Sequence, residues 1–113
     1  MSAGDWKDLY AAATQGDLAR VRYHLDAGVN PNYQHPEVLC TPLVASIIQG
    51  HDAVALCLLA QGADPRLRSD FDNLTPLEAA RLHGRAVVEQ RLQALGVKLE
   101  RPSFWRRWLS GLG

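Results

Sequence analysis

Residues 41–64 read TPLVASIIQGHDAVALCLLAQGAD, and this stretch decides the fold. Thr41 suits the N-cap of a helix, and Pro42 fits the first turn, where a missing N–H costs nothing. Gly50 then predicts a break, and Gly62 predicts the end of a second helix. Apolar side chains recur at helical spacing in both segments: Leu43, Ile47, Ile48, Val54, Cys57, Leu58 and Leu59. The stretch therefore predicts a helix–turn–helix unit with one apolar side that it cannot bury alone.

The same unit recurs along the chain with a period of 34 residues. Thr41-Pro42-Leu43 returns as Thr75-Pro76-Leu77. Three other sets of residues keep the same spacing: Gly16, Gly50 and Gly84; Gly28, Gly62 and Gly96; Leu9, Leu43 and Leu77. Recurrence of several residue types at one spacing predicts an internal repeat of about three units.

The repeat resembles the ankyrin repeat, and the resemblance extends from about Asp5 to Leu99. It implies an all-α, ankyrin-repeat-like solenoid of about three helix–turn–helix units with projecting loops, or fingers. We expect repeats at about 5–33, 34–67 and 68–99, followed by a tail at 100–113. The motifs that carry the resemblance are Thr41-Pro42-Leu43, Gly50-His51, Leu58-Leu59 and Gly62-Ala63-Asp64.

Composition narrows the class of protein. The chain has 113 residues, which fits a single domain, and its 12 Lys+Arg balance its 12 Asp+Glu. A nucleic-acid-binding protein needs a basic face, so none is expected here. The two cysteines form neither a CxxC pair nor a disulfide framework, and we expect Cys57 to be a small core residue. The start of the chain does not read as a secretory signal and no segment is long enough to span a membrane, so we expect a cytoplasmic protein.

The two fingers differ at one position. Finger one covers residues 32–40 and finger two covers residues 66–74. The family usually places glycine, with a positive φ, two residues before the threonine. Leu39 holds that position in finger one and resists a positive φ, so we expect this finger to be irregular. Asn73 holds it in finger two and tolerates the left-handed region, so we expect a more regular turn there.

The outer repeats show features of terminal units. Thr75 and Glu78 form a predicted capping box at the start of repeat three. The second helix of that repeat, near residues 85–95, carries polar side chains where the family is usually apolar: Glu89, Arg91 and Gln93. A terminal repeat needs one polar outer side, so this pattern predicts a capping unit.

The sequence offers no catalytic constellation, cofactor site or metal site. No two of the histidines share a metal-ligand spacing with a cysteine or carboxylate. The glycines follow the repeat and do not form a phosphate-binding loop. His51 occupies the Gly-His turn of the repeat, which predicts a structural role. We therefore expect no enzymatic activity.

The resemblance implies protein binding through the fingers and the exposed side of each first helix. The alternative for Ile48 and Leu82 is that they extend a small core. Apolar side chains gathered at solvated positions usually mark contact sites, and we expect an adaptor, inhibitor or regulator of another protein. The partner-binding positions carried over by register are Glu37, Val38, Cys40, Ile48, Gln49, Phe71, Asp72, Leu74, Leu82 and His83.

The tail does not continue the repeat. In a helix, its arginines Arg106 and Arg107 would face away from an apolar side formed by Phe104, Trp105, Trp108 and Leu109. Three interpretations stay open: a cap over repeat three, a segment that docks on a partner protein, or a shallow membrane contact. The last gives the alternative function, a membrane-surface adaptor anchored by the tail.

Overall fold

The computed structural model describes residues 6–34, 36 and 38–98. Within these residues the chain forms helices and no strand, apart from one isolated antiparallel bridge between Ser69 and Leu74. None of the described helices is long and apolar enough to cross a membrane. The predicted contacts of the tail, and Glu37 of finger one, lie outside the described residues. The helices are α1 (Trp6–Gln15), α2 (Leu18–Asp26), α3 (Pro42–Ile48), α4 (Asp52–Ala60), α5 (Pro76–Leu82) and α6 (Ala86–Ala94).

The six helices form three consecutive pairs, which we call repeats one, two and three. Within each pair the two helices pack together, and the pairs stack in chain order. The first helices form one layer, with α1 against α3 and α3 against α5. The second helices form the other layer, with α2 against α4 and α4 against α6. This arrangement confirms the predicted all-α repeat fold.

Local chemistry sets the starts of the first helices. The Thr41 side chain accepts a hydrogen bond from the Val44 N–H at 3.1 Å, and α3 begins at Pro42. At α5 the Thr75 hydroxyl accepts from the Glu78 N–H at 3.2 Å, and Glu78 Oε1 accepts from the Thr75 N–H at 2.9 Å. The predicted capping box is therefore present. Such caps satisfy N–H groups that the first helical turn leaves without partners.

The core lies between the two helix layers. It is continuous through the three repeats because each repeat contributes its apolar side to the next. Cys57, predicted as a core residue, is half-buried and packs against this core. In α6, the predicted polar side chains Arg91 and Gln93 are exposed, and Glu89 is half-buried. The largest fully buried side chains include Leu9, Ile47, Leu58, Leu77, Leu92, Val21, Val44, Val54 and Val88.

Side chains of one repeat hold the backbone of the next. The Asn32 Nδ2 donates to the Gly62 carbonyl at 3.1 Å, while its Oδ1 accepts from the Asp64 N–H at 2.7 Å. Gln34, two residues after Asn32, makes the same pair of bonds further along the chain. Its Nε2 donates to the Arg68 carbonyl at 3.0 Å, and its Oε1 accepts from the Asp70 N–H at 3.2 Å. These paired bonds fix the two fingers side by side.

Leu39 does not behave as predicted. Its φ is +59°, close to the +54° of Asn73, so both fingers use the left-handed region at this position. The expectation that Leu39 would resist a positive φ is wrong. The Leu39 carbonyl accepts a hydrogen bond from the Phe71 N–H at 2.9 Å, and this bond between fingers fixes the backbone that the side chain disfavours.

His51 joins repeats one and two. Its Nε2 lies 3.0 Å from the Thr14 carbonyl at the end of α1, and its ring covers Gly16. Arg85 takes the equivalent position in repeat three, where its Nη1 lies 3.9 Å from Asp52 Oδ1 and packs over Gly50. The predicted structural role of His51 follows from these contacts.

Candidate functional site

The predicted contact positions lie on the fingers and at the ends of α3 and α5. Among them, Phe71 and Leu82 are the most exposed apolar side chains, at 72% and 69% exposure. Phe71 stands at the tip of finger two and Leu82 at the last turn of α5, so both belong to repeat three. Gln49 and His83, which follow α3 and α5, are also exposed. We call Phe71, Leu82, Gln49 and His83 the exposed contact surface.

The other predicted apolar positions are largely covered. Cys40 is buried at 7% exposure, and Ile48 and Leu74 pack half-buried against the core. Val38 is half-buried. Ile48 and Leu82 are equivalent in the repeat, but α5 packs on α3, whereas no described helix of the first layer packs on the far side of α5. This difference explains why Leu82 stays exposed while Ile48 joins the core.

The tip of finger two is closed by two short hydrogen-bonded connections. Ser69 N–H donates to the Leu74 carbonyl at 2.8 Å, and the Leu74 N–H donates back to the Ser69 carbonyl at 3.3 Å. Inside this loop the Asp72 Oδ2 accepts from the Ser69 hydroxyl at 3.2 Å. The Phe71 N–H is already used by Leu39. The backbone that carries Phe71 is therefore held on both sides before any partner arrives.

A part-buried polar cluster lies at the finger bases. Cys40 Sγ donates to Asp72 Oδ2 at 3.8 Å, and Tyr10 of α1 is hydrogen-bonded to Cys40. Burial raises the pKa of Tyr10 above its ordinary value, and Cys40 and the Asp72 carboxylate raise it further, against a lowering by Thr14. The raised pKa favours the neutral phenol, whose hydrogen bond to Cys40 joins repeat one to finger one.

Sequence reasoning missed Tyr10 and Ser69. Both lie outside the ten predicted positions, although Ser69 is fully buried within finger two. The one signal in the sequence was Cys40 itself, because the equivalent position in repeat three is the apolar Leu74. A thiol is a small apolar group and also a weak hydrogen-bond donor, so it can accept a polar neighbour where leucine cannot. The sequence does not show which neighbour, since Tyr10 and Asp72 lie about 30 residues to either side.

Among residues 6–34, 36 and 38–98, no group of three His, Cys, Asp or Glu side chains is placed to hold a metal ion. The described part of the site therefore offers apolar contact, hydrogen bonding and charge.

Tyr23 of α2 is a useful contrast to Phe71. It is 70% exposed, lies in the other helix layer, and stacks edge-on against His24 with 5.2 Å between ring centroids.

Comparison with known sequences gives partial matches. No protein-family model matches the chain. The ARF GTPase-activating protein Git of Drosophila melanogaster is 33% identical over 86 residues, which is 76% of this chain and 12% of that protein. Human ARF GTPase-activating protein GIT1 is also 33% identical over 86 residues, 11% of its length. A putative ankyrin repeat protein of fowlpox virus, FPV222, is 32% identical over 71 residues, 63% of this chain and 9% of that protein. The chain thus spans about a tenth of the length of these relatives.

Comparison with solved structures matches most of the chain. An ankyrin repeat domain from Acinetobacter baumannii has a TM-score of 0.72 and 35% identity, covering 80% of this chain and 47% of that domain. A chain in the complex of the Bdellovibrio bacteriovorus predatory endopeptidase Bd0816 with the immunity protein Bd3460 has a TM-score of 0.71 and 28% identity, covering 81% and 47%. Together with the stacked helix pairs and the repeated Thr-Pro-Leu motif, these matches show that the chain has the ankyrin repeat fold.

Proposed function

We propose that this protein is a non-catalytic protein-binding module that regulates, inhibits or links a partner through its exposed contact surface. One observation carries the proposal: Phe71 and Leu82, both in repeat three, present large apolar side chains that are 72% and 69% exposed. The exposed Gln49 and His83, which follow α3 and α5, contribute polar groups to this surface.

The energetics favour Phe71 as the anchor. Burying a large apolar side chain contributes about 1.5–3 kcal/mol, and a few such residues usually dominate an interface. Ordering a mobile loop costs part of that gain. The hydrogen bonds of finger two within residues 69–74, and to Leu39, supply that order in the free chain.

The comparisons support a protein as the kind of partner. One structural neighbour belongs to a complex between an endopeptidase and an immunity protein. The GIT relatives are much longer than this chain, and the matched part is a small share of each. We therefore place the function in protein binding without assigning the activity of those proteins.

The test places a photo-reactive benzoylphenylalanine at position 71 of the intact chain. Irradiation in a lysate of the source organism should attach one or a few proteins, identified by mass spectrometry. The matched control carries the same residue at position 23, because Tyr23 is 70% exposed in the other helix layer. A partner of the exposed contact surface should be attached from position 71 and not from position 23.

Substitutions then test the affinity for the attached protein. Phe71→Ser should weaken its binding about tenfold, the effect of losing about 1.4 kcal/mol, while Tyr23→Ser should leave it unchanged. Both variants should keep the melting temperature, since both side chains are exposed. Equal binding by the parent and Phe71→Ser, or a large loss of thermal stability in Phe71→Ser, would contradict the proposal.

A further inference from the structure

A cavity of about 210 Å³ opens at the end of repeat three. Arg66 and Arg68 of finger two line one side of it. Thr75 and Glu78, at the start of α5, line a second side, and residues 96–98 after α6 line the third. We call it the C-terminal cavity. It involves none of the residues of the exposed contact surface.

The equivalent place one repeat earlier shows what such a cavity accommodates. Between repeats one and two, the positions of Arg66 and Arg68 are held by Asn32 and Gln34. There the place is filled by main chain from the next finger. Residues 68–70 pass through it, and their carbonyl and N–H groups bond to the Gln34 side chain at 3.0 and 3.2 Å. The C-terminal cavity therefore lies at the position where, one repeat earlier, a short segment of main chain bonds to a finger side chain.

The charge of the lining differs sharply between the two places. Asn32, Gln34, Val44 and Asp64 are replaced, 34 residues on, by Arg66, Arg68, Glu78 and Lys98. The lining thus changes from one carboxylate to three cations and one carboxylate. Gln34 both donates and accepts, whereas an arginine in its place only donates. A segment rich in acceptors, above all carboxylates, matches this lining.

The arginines are held in position before a ligand binds. Arg68 Nη1 donates to the Asn73 carbonyl at 2.9 Å and lies 3.5 Å from Glu78 Oε1. Arg66 Nη2 donates to the Gly96 carbonyl at 3.2 Å. These bonds use one nitrogen of each guanidinium, which carries five N–H groups in all. The remaining N–H groups can form charge-assisted pairs with carboxylates, which are stronger than neutral hydrogen bonds.

We propose that the C-terminal cavity binds a short acidic peptide segment of a partner protein. Carboxylates of the segment pair with Arg68, Arg66 and Lys98, and its main chain takes the place that residues 68–70 take between repeats one and two. This site is separate from the one we propose around Phe71. The two can therefore be tested independently.

The test measures fluorescence anisotropy of a labelled peptide, Gly-Ser-Glu-Asp-Glu-Val-Gly, against the intact chain at low salt. A matched peptide with Gln and Asn in place of the acids is the neutral probe. The acidic peptide should bind and the neutral one should not. The affinity of the acidic peptide should fall as added salt screens the charges. Arg68→Gln, which restores the residue type of position 34, should weaken binding about tenfold through loss of a charged hydrogen bond.

Control variants separate the site from general attraction. Arg91→Gln removes the same charge from exposed α6, outside the cavity, and should keep the affinity. Phe71→Ser should keep it as well, and Arg68→Lys should retain most of it. Helical circular dichroism of each variant checks that it folds. A partner peptide would be ruled out by equal binding of both probes, or by equal losses in Arg91→Gln and Arg68→Gln. Nuclear Overhauser contacts in the free chain from Val97 to residues 102–113 would assign the cavity to the chain's own tail and overturn the proposal.

Discussion

Leu39 and Asn73 occupy the same position in successive fingers and share a left-handed backbone. Asparagine adopts this region readily, whereas for other non-glycine residues it costs about 1–2 kcal/mol. The Leu39 residue is 38% exposed, so burial of the rest of its side chain offsets part of this cost. The Phe71 N–H bond to the Leu39 carbonyl offsets part of it. The strain could not be predicted, because that bond joins residues 32 apart in sequence.

We therefore expect Leu39→Gly to stabilise the chain. Glycine removes the left-handed strain but adds freedom to the unfolded chain, so the net gain in unfolding free energy should be roughly 0.5–1 kcal/mol. Asn73→Gly, at the equivalent position, should be nearly neutral. Urea denaturation of the three proteins measures the difference. Loss of stability in Leu39→Gly would mean that its half-exposed side chain matters more than its backbone.

Tyr10 gives a prediction for alkaline pH. Burial, Cys40 and Asp72 raise its pKa in the folded state, so at pH above about 10 the unfolded chain releases this proton first. Its contribution to stability is fully present below that pH and is lost as the pH rises through the raised pKa. The difference in tyrosinate absorbance between the parent and Tyr10→Phe isolates this titration. A midpoint at or below the ordinary tyrosine value would contradict the buried arrangement with Cys40.

The sequence predicts the starts of the first helices better than the turns that join the two helices of a repeat. The Thr-Pro-Leu motif places the starts of α3 and α5 correctly because capping depends on neighbouring residues alone. His51 and Arg85 are the N-cap residues of α4 and α6, and neither side chain makes a capping hydrogen bond. Their positions depend on contacts with the preceding repeat. A sequence pattern identifies such a turn but does not show what the turn touches.

The junction between α1 and α2 should be sensitive to a single methyl group. Gly16 has a φ of +77°, and a Cβ there would lie 2.6 Å from His51 Nδ1. Gly84 has a φ of +67° with no atom within 4 Å of its Cβ position. Both Gly→Ala changes carry a backbone cost of about 1–2 kcal/mol, but only Gly16→Ala also disturbs His51.

Thermal unfolding of both variants tests this difference. Gly16→Ala should lose more stability than Gly84→Ala, and adding His51→Ala should narrow the gap through coupling between the two sites. Equal losses in the two single variants would show that His51 moves aside freely.

The sequence does not show which side chains are covered by a neighbouring repeat. Position by position, the 34-residue period predicts the repeat fold and the apolar sides of the helices. The same period places Ile48 and Leu82 at equivalent positions of the repeat. Their exposure differs because α5 covers part of α3. Of the ten predicted contact positions, Cys40 became part of a part-buried polar cluster, while Phe71 and Leu82 stayed exposed.

In the whole molecule, repeat two packs against a neighbour on both sides. In a stacked array, stability is the sum of the repeats and their interfaces, so damage to the middle unit weakens two interfaces. Leu58 is fully buried in α4. Leu58→Ala should lower the unfolding free energy by roughly 2–5 kcal/mol. Leu56→Ala, on the same helix but half-buried, should cost less. Chemical denaturation followed by circular dichroism measures both unfolding free energies. If Leu58→Ala unfolds with the same free energy as the parent, Leu58 does not lie at the centre of the stacked repeats.

The side-chain bonds between fingers also bear on how such a chain can lengthen. Asn32 and Gln34 each hold main-chain groups about 30 to 36 residues ahead, and Arg66 repeats the first of these contacts with Gly96. The bonds therefore depend on spacing more than on the identity of the residues they hold. Duplicating one complete 34-residue unit would preserve this spacing, whereas inserting a few residues within a finger would shift every later partner. Growth by whole units is therefore the change in length that this architecture accommodates most readily.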